Sequence, residues 1–288
     1  MIQYNPKSWY KLIFALHKSD TIRIMWKELI YISIFTSLIA FIEIEVWPAP
    51  DASEELISVY SLIGFVISLL LVFRTNTAYD RWWEGRKRWG AMVNDTRNVA
   101  VKINALTKDS DDRDFFKRMI PNFVFATKEH LRDGVIMEEL ELTPEEAKHL
   151  ERRDHVPAAV VGMMYDRLQT YKERGIMTEA EYLTLDRNLN AFLDSLGACE
   201  RIKNTPIPFS YSLFLKKFIF IYVATLPLAF VNIFGYWSAL IATFVFYVLV
   251  SMEVLAEEIE DPFGTDDNDL PTQSISERIR MNVTEILT

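Results

Sequence analysis

The chain has 288 residues, with 31 Lys and Arg against 40 Asp and Glu, giving a formal charge of −9. An acidic balance of this size excludes a chain-wide nucleic-acid binder, which needs a basic footprint. Nine glycines are too few for Gly-rich phosphate loops or a turn-dense all-β fold, and a lone cysteine, Cys199, excludes an intramolecular disulfide framework and a cysteine-based zinc cluster.

Residues 1–26 form a basic N-terminal segment holding Lys7, Lys11, Lys18 and Arg23. Leu29 to Ile42 then carries no charge, and the apolar trend continues through Glu43 and Glu45 to Trp47. A membrane crossing takes ~20 mostly apolar residues at ~1.5 Å each, so this stretch predicts a spanning helix over about 27–47. No small-residue cleavage site follows it, which argues against a secretory signal. The next loop holds only acids: Asp51, Glu54 and Glu55. Leu56 to Phe73 is again uncharged and predicts a second span over about 56–79.

Residues 80–212 read as helical. Thr143-Pro-Glu-Glu146 has a threonine cap, proline at the first position and acids in the first turn. Thr178-Glu-Ala-Glu181 matches a capping box. Behind it Tyr182, Leu185, Leu189, Phe192, Leu196 and Cys199 alternate at spacings of three and four. That is a seam buried either within the chain or against another copy. Phe115, Phe116, Met119, Ile120, Phe123 and Val124 form a second apolar face, with Pro121 as an expected kink.

Phe218 to Met252 is uncharged and too long for one helix. It divides at Asn232-Ile-Phe-Gly-Tyr-Trp237 into spans over about 213–233 and 236–256. The segment 257–288 holds an acidic turn and a tail that reads as loose beyond about 270. Basic flanks stay in the cytoplasm. Arg74, Arg81, Arg86, Lys87 and Arg88 follow the second span, and Lys216 and Lys217 lie at the start of the third. Spans at 27–79 and 213–256 therefore place both termini and 80–212 on the cytoplasmic side.

Enzyme constellations are thin. His17, His130, His149 and His155 contain no i, i+4 pair for a helical metal site. No serine sits in a nucleophile elbow. Acidic runs at Asp109 to Asp114 and Asp266 to Asp269 suit Mg²⁺-dependent pyrophosphate chemistry, but membrane enzymes of that kind need more spans to enclose a lipid. A membrane scaffold or sensor with partner-binding cytoplasmic helices stays open as a further class.

The most specific run is Arg74-Thr-Asn-Thr-Ala-Tyr-Asp-Arg-Trp-Trp-Glu-Gly-Arg-Lys-Arg-Trp-Gly90, which carries the second helix onward without a breaker before Gly85. Trp82, Trp83 and Trp89 amid charge suit a subunit interface, with a membrane-surface aromatic belt as the plain alternative. This run, with Arg81-Trp82-Trp83 after an apolar helix, resembles the signature of the bestrophin channel family in its bacterial branch. Asp261-Pro-Phe-Gly-Thr-Asp-Asp-Asn-Asp269 after the fourth span and Ile207-Pro208 before the third match the same family. The likeness covers about residues 15–275.

The resemblance implies an all-α homopentamer with four spans and a helical cytoplasmic region per subunit. It would lie in a bacterial plasma membrane around one central pore lined by the second helix. It also implies a neck of three rings at Phe65, Leu69 and Phe73. Their i, i+4, i+8 spacing keeps them near one helix face; on the residues alone, a face against lipid or core is the favoured reading, and the resemblance turns it to the pore. Ser61, Gly64 and Ser68 add small residues for close helix approach. A cytoplasmic aperture falls between Ala180 and Leu183, taken at Leu183, and Arg81, Trp82 and Trp83 fall at the subunit interface. Animal members hold calcium on the acids after Pro-Phe-Gly, which implies Asp266 and Asp269 here. Asp261 and Glu258, however, stand where those members carry Asn and Gln, so calcium is not required. The expected partners are further copies of the chain, the lipid bilayer and small monovalent ions, with no nucleic acid. Chloride is the ion by resemblance. The acidic outer loop favours cations, which leaves a sodium or potassium channel of the same fold as the alternative.

Overall fold

The computed structural model describes residues 21–46 and 54–288, and among these all regular structure is helical. Asp51 and the Glu54 side chain, both assigned to the acidic outer loop, lie outside what is described. Helix α1 (Trp26–Phe41) ends in a π-helical turn at Ile42–Val46. Helix α2 runs unbroken from Glu54 to Leu106. After it come α3 (Ser110–His130), α4 (Pro144–Leu150), α5 (Val156–Glu173), α6 (Glu179–Asn204), α7 (Phe209–Phe234), α8 (Trp237–Glu260) and α9 (Thr272–Ile286). Four of them, α1 with its π turn, α2, α7 and α8, are long and apolar enough to cross a bilayer.

The chain forms two compact units, and α2 contributes its part up to Trp82 to the first. That unit also holds α1, α7 and α8. Its core joins Ile32, Ile67, Leu71, Leu215, Ile219, Val223, Ala242 and Phe246. Tyr60 donates from its hydroxyl to Thr225 O at 2.8 Å, and Tyr211 donates to Leu70 O at 3.0 Å, so α2 is tied to α7 at two levels. A Cβ at Gly64 would stand 2.7 Å from the Tyr222 hydroxyl. The small residue therefore lets α7 approach α2 within the chain itself.

The second unit holds the rest of α2 from Trp83, α3 to α6, and α9. The apolar face of α3 is buried throughout, and Phe123 stacks on Phe192 of α6 at 4.9 Å between centroids. Leu185, Leu189, Phe192, Leu196 and Cys199 are also buried in the single chain. The α6 seam is thus internal core rather than a contact with another copy. Burial pushes the Cys199 thiol up to about 12, so it behaves as a small apolar residue. The capping box of Thr178 and Glu181 forms, and the Thr143 cap closes a second one with Glu146. Helix α3 continues through Pro121.

The tail expected to be loose beyond about 270 is the helix α9. Thr272, Ser276, Ile279, Val283 and Leu287 recur at three and four residues and are buried. That stripe covers α3: Lys128 donates to Gln273 Oε1 at 2.5 Å, and the Arg280 guanidinium lies 4.0 Å from the Phe125 ring centre. An amphipathic helix with two hydroxyls on its buried stripe is weakly apolar by composition and takes its stability from the surface it covers.

Candidate functional site

Successive residues of an α-helix are turned by about 100°. Phe65, Leu69 and Phe73 are therefore each offset by about 40°, while Ile67 and Leu71 point to nearly the opposite side. Ile67 and Leu71 are buried in the core of the first unit, whereas Phe65, Leu69 and Phe73 are 65%, 43% and 56% exposed. The structure thus packs one face of α2 and leaves the expected neck face uncovered in the single chain. Leu62 and Val72 on its flanks are exposed as well. In water, side chains of this size would be driven into contact. Here they lie on a helix built to leave water.

Just below this face α2 is anchored by charge. Arg74, directly after Phe73, is 1% exposed and reaches Glu260 Oε2 at 2.6 Å. The other Glu260 oxygen accepts from Ile207 N at 2.6 Å, and its backbone carbonyl accepts from Arg81 Nε at 3.0 Å. One carboxylate therefore joins α2, the entry to α7 and the end of α8.

The two sequence motifs meet at the end of α8. Trp82 donates through Nε1 to Asn268 O at 3.0 Å, and Asn268 donates to Glu258 at 2.6 Å. In the second unit, a Cβ at Gly85 would stand 3.1 Å from the Phe263 ring, and Phe263 is 1% exposed. The carbonyls of Phe263 and Gly264 accept from Arg132 at 3.1 and 3.2 Å. Arg132 carries no signal in the linear pattern, since it lies more than a hundred residues before the motif it holds.

Of the residues expected at a subunit interface, Arg81 and Trp82 hold the chain's own turn after α8. Trp83 is 47% exposed, and Trp89 is completely buried. Leu183, the expected aperture residue, is 55% exposed in the second turn of α6. Asp269 is 2% exposed, and its Oδ2 would lie 2.7 Å from a Cβ added at Gly264, so the carboxylate is folded over the Pro-Phe-Gly turn. Asp266 lies exposed in the same turn. Two carboxylates alone do not approach the six to eight oxygens that calcium takes.

Four apolar helices, one of them 53 residues long, together with a polar helical unit define a polytopic α-helical membrane protein. The sequence model of the bacterial and fungal bestrophin proteins matches residues 1–285, and the chain belongs to that family. It is accordingly a channel-family protein and not an enzyme. A voltage-dependent anion channel-forming protein of Nostoc sp. is 35% identical over 97% of this chain and 92% of its own length. One named YneE from Escherichia coli K12 is 29% identical over 99% and 94%. The crystal structure of a bacterial bestrophin homolog from Klebsiella pneumoniae superposes with a TM-score of 0.83 at 26% identity, covering 91% of this chain and 98% of that one.

Proposed function

We propose that five copies of this chain assemble around one axis into a channel for small anions, chloride among them. In this reading α2 lines the pore, and Phe65, Leu69 and Phe73 form three stacked apolar collars. The observation that carries it is the division of α2 into a packed face at Ile67 and Leu71 and an uncovered face at Phe65, Leu69 and Phe73. One four-span subunit cannot enclose a pore, so the uncovered face needs other copies to complete it. A narrow apolar tube holds water poorly, so ions cross only when it widens. Leu183 adds a second constriction at the cytoplasmic exit, and both chain ends lie on the cytoplasmic side. Conduction needs no cofactor, and the turn bearing Asp266 and Asp269 serves as a structural brace.

The anion preference rests on the names of the relatives, since the collars carry no charge. The opposing reading, a sodium or potassium channel of the same fold, draws on the acids of the outer loop. Purified protein in a planar bilayer across asymmetric KCl separates them. A reversal potential towards the chloride equilibrium value is expected. One towards the potassium value would replace the anion reading, and no current from a verified pentamer would remove conduction altogether.

A further inference from the structure

The second unit carries a side-chain group that conduction along α2 does not use. His130 closes α3, His155 is the N-cap of α5, and Glu200 lies in the last turns of α6. The Nε2 atoms of His130 and His155 lie 2.7 and 2.8 Å from the same Glu200 oxygen, Oε1. The two ring centres are 4.6 Å apart, and the ligating atoms of all three residues fall within 4.8 Å of one another. Their side chains are 26%, 43% and 28% exposed, so an ion reaches them from solvent without the fold opening.

We propose that His130, His155 and Glu200 form a divalent transition-metal site of the zinc class that ties α3, α5 and α6 together. Two imidazoles and a carboxylate are donors that zinc takes, and three protein ligands leave a fourth tetrahedral position for water. Calcium and magnesium prefer all-oxygen shells and suit this set poorly. Zinc bonds of about 2.0–2.2 Å at tetrahedral angles place ligand atoms roughly 3.3 Å apart. The present contacts must therefore widen by about half an ångström, which partly exposed side chains accommodate.

One feature sets the strength of the site. His155 Nδ1 accepts from Ala158 N at 3.2 Å. In the metal-free protein the His155 proton is therefore on Nε2, donated to Glu200. Zinc at Nε2 displaces that proton, and the neutral ring then carries one on Nδ1, where it opposes the Ala158 N–H. Metal binding thus exchanges a helix cap for a three-helix crosslink, which fits a reversible site better than a permanent structural one.

The test uses the full-length, metal-free protein in detergent, with zinc titrated against a chromophoric chelator and cobalt as a spectroscopic probe. One ion per chain is expected, with the intense visible bands of tetrahedral cobalt. His130→Gln, His155→Gln and Glu200→Gln should each weaken binding at least tenfold, and zinc should raise the melting temperature of the parent but not of the variants. Equal zinc affinity in the parent and in a His130→Gln/His155→Gln double variant overturns the proposal. X-ray absorption at the zinc edge of the unmutated protein decides the matter even if the variants fail to fold. Two imidazoles near 2.0 Å support the site, and an all-oxygen shell overturns it.

Discussion

Arg74 Nη2 lies 2.6 Å from Glu260 Oε2, with the two side chains only 1% and 14% exposed. The arginine follows Phe73 directly, so the last of the three expected neck residues sits one position from a buried anchor. Glu253 brings a second carboxylate to within 3.7 Å of the Arg74 Nε atom. Two acids around one guanidinium leave the arginine needed by both. Removing one partner of a buried pair strands the other and costs about 3–5 kcal/mol. Arg74→Ala should therefore lower the melting temperature of the detergent-solubilised protein sharply, with Glu260→Gln close behind. Melting curves that overlay the parent would remove this pair from the stability of the membrane unit.

The proposed neck is tested by enlarging it. Phe65→Ala, Leu69→Ala and Phe73→Ala together shorten side chains that are uncovered in the single chain, so the fold of the subunit should survive. A broader tube wets more easily, and single-channel recordings should give higher conductance and open probability. A triple variant that assembles normally and conducts like the parent would place these residues against lipid.

Trp82 and Trp83 should behave differently although adjacent. Trp82 bonds to Asn268 O, so Trp82→Phe should cost about 1 kcal/mol of stability and leave assembly intact. Trp83 is the exposed ring, and an aromatic anchor at an interface is worth ~2 kcal/mol or more on truncation. If the proposed pentamer packs through this ring, Trp83→Ala should shift detergent-purified protein towards smaller species, read by light scattering. The reverse ranking would assign the interface to Trp82.

The acids expected in the outer loop offer a test of ion choice. Asp51→Asn, Glu54→Gln and Glu55→Gln remove three negative charges per chain. The Debye length is ~30 Å at 0.01 M salt and ~3 Å at 1 M. For an anion channel, chloride conductance should rise in dilute salt, where repulsion at the mouth is least screened, and hardly change at 1 M. A fall in cation conductance under the same conditions would speak for the opposing reading. Equal currents at every salt concentration would exclude the loop from selectivity.

Acid should loosen α4. Burial pushes the Glu146 carboxyl up, but Arg118 and the Thr143 backbone outweigh this and hold it below the usual carboxylate range. Arg118 contacts both Glu146 oxygens, at 2.5 and 3.1 Å. A depressed folded value means that the stabilisation is complete above the unfolded value and is lost as pH falls through the folded one. Protection against hydrogen exchange over 144–150, relative to the unfolded chain at the same pH, should therefore fall in the parent as the pH drops below the ordinary carboxylate range. Glu146→Gln should exchange faster at neutral pH and lose that dependence. A parent profile flat down to pH 3 would sink the argument.

What the linear order determined is what depends on neighbours a few residues apart. Uncharged runs such as Leu56 to Phe73 mark the spans because lipid rejects charge wherever the chain later goes. Thr143 and Thr178 mark helix starts because a cap and its carboxylate are three residues apart. The α6 seam and the α3 face follow the helical repeat, and the two family motifs stand in plain view. Tertiary structure decided the rest, because the partners are far apart in sequence. Trp82 and Asn268 are 186 positions apart, Arg81 and Glu260 are 179, and His130 and Glu200 are 70. Helix α9 reads as a polar tail until α3 offers it a surface to cover. His130 and His155 lack the spacing of a one-helix metal pair and meet only because three helices converge on one carboxylate oxygen. Periodicity reports which face of a helix is apolar; only packing decides whether that face meets core, as at Leu71, or stays uncovered, as at Phe73.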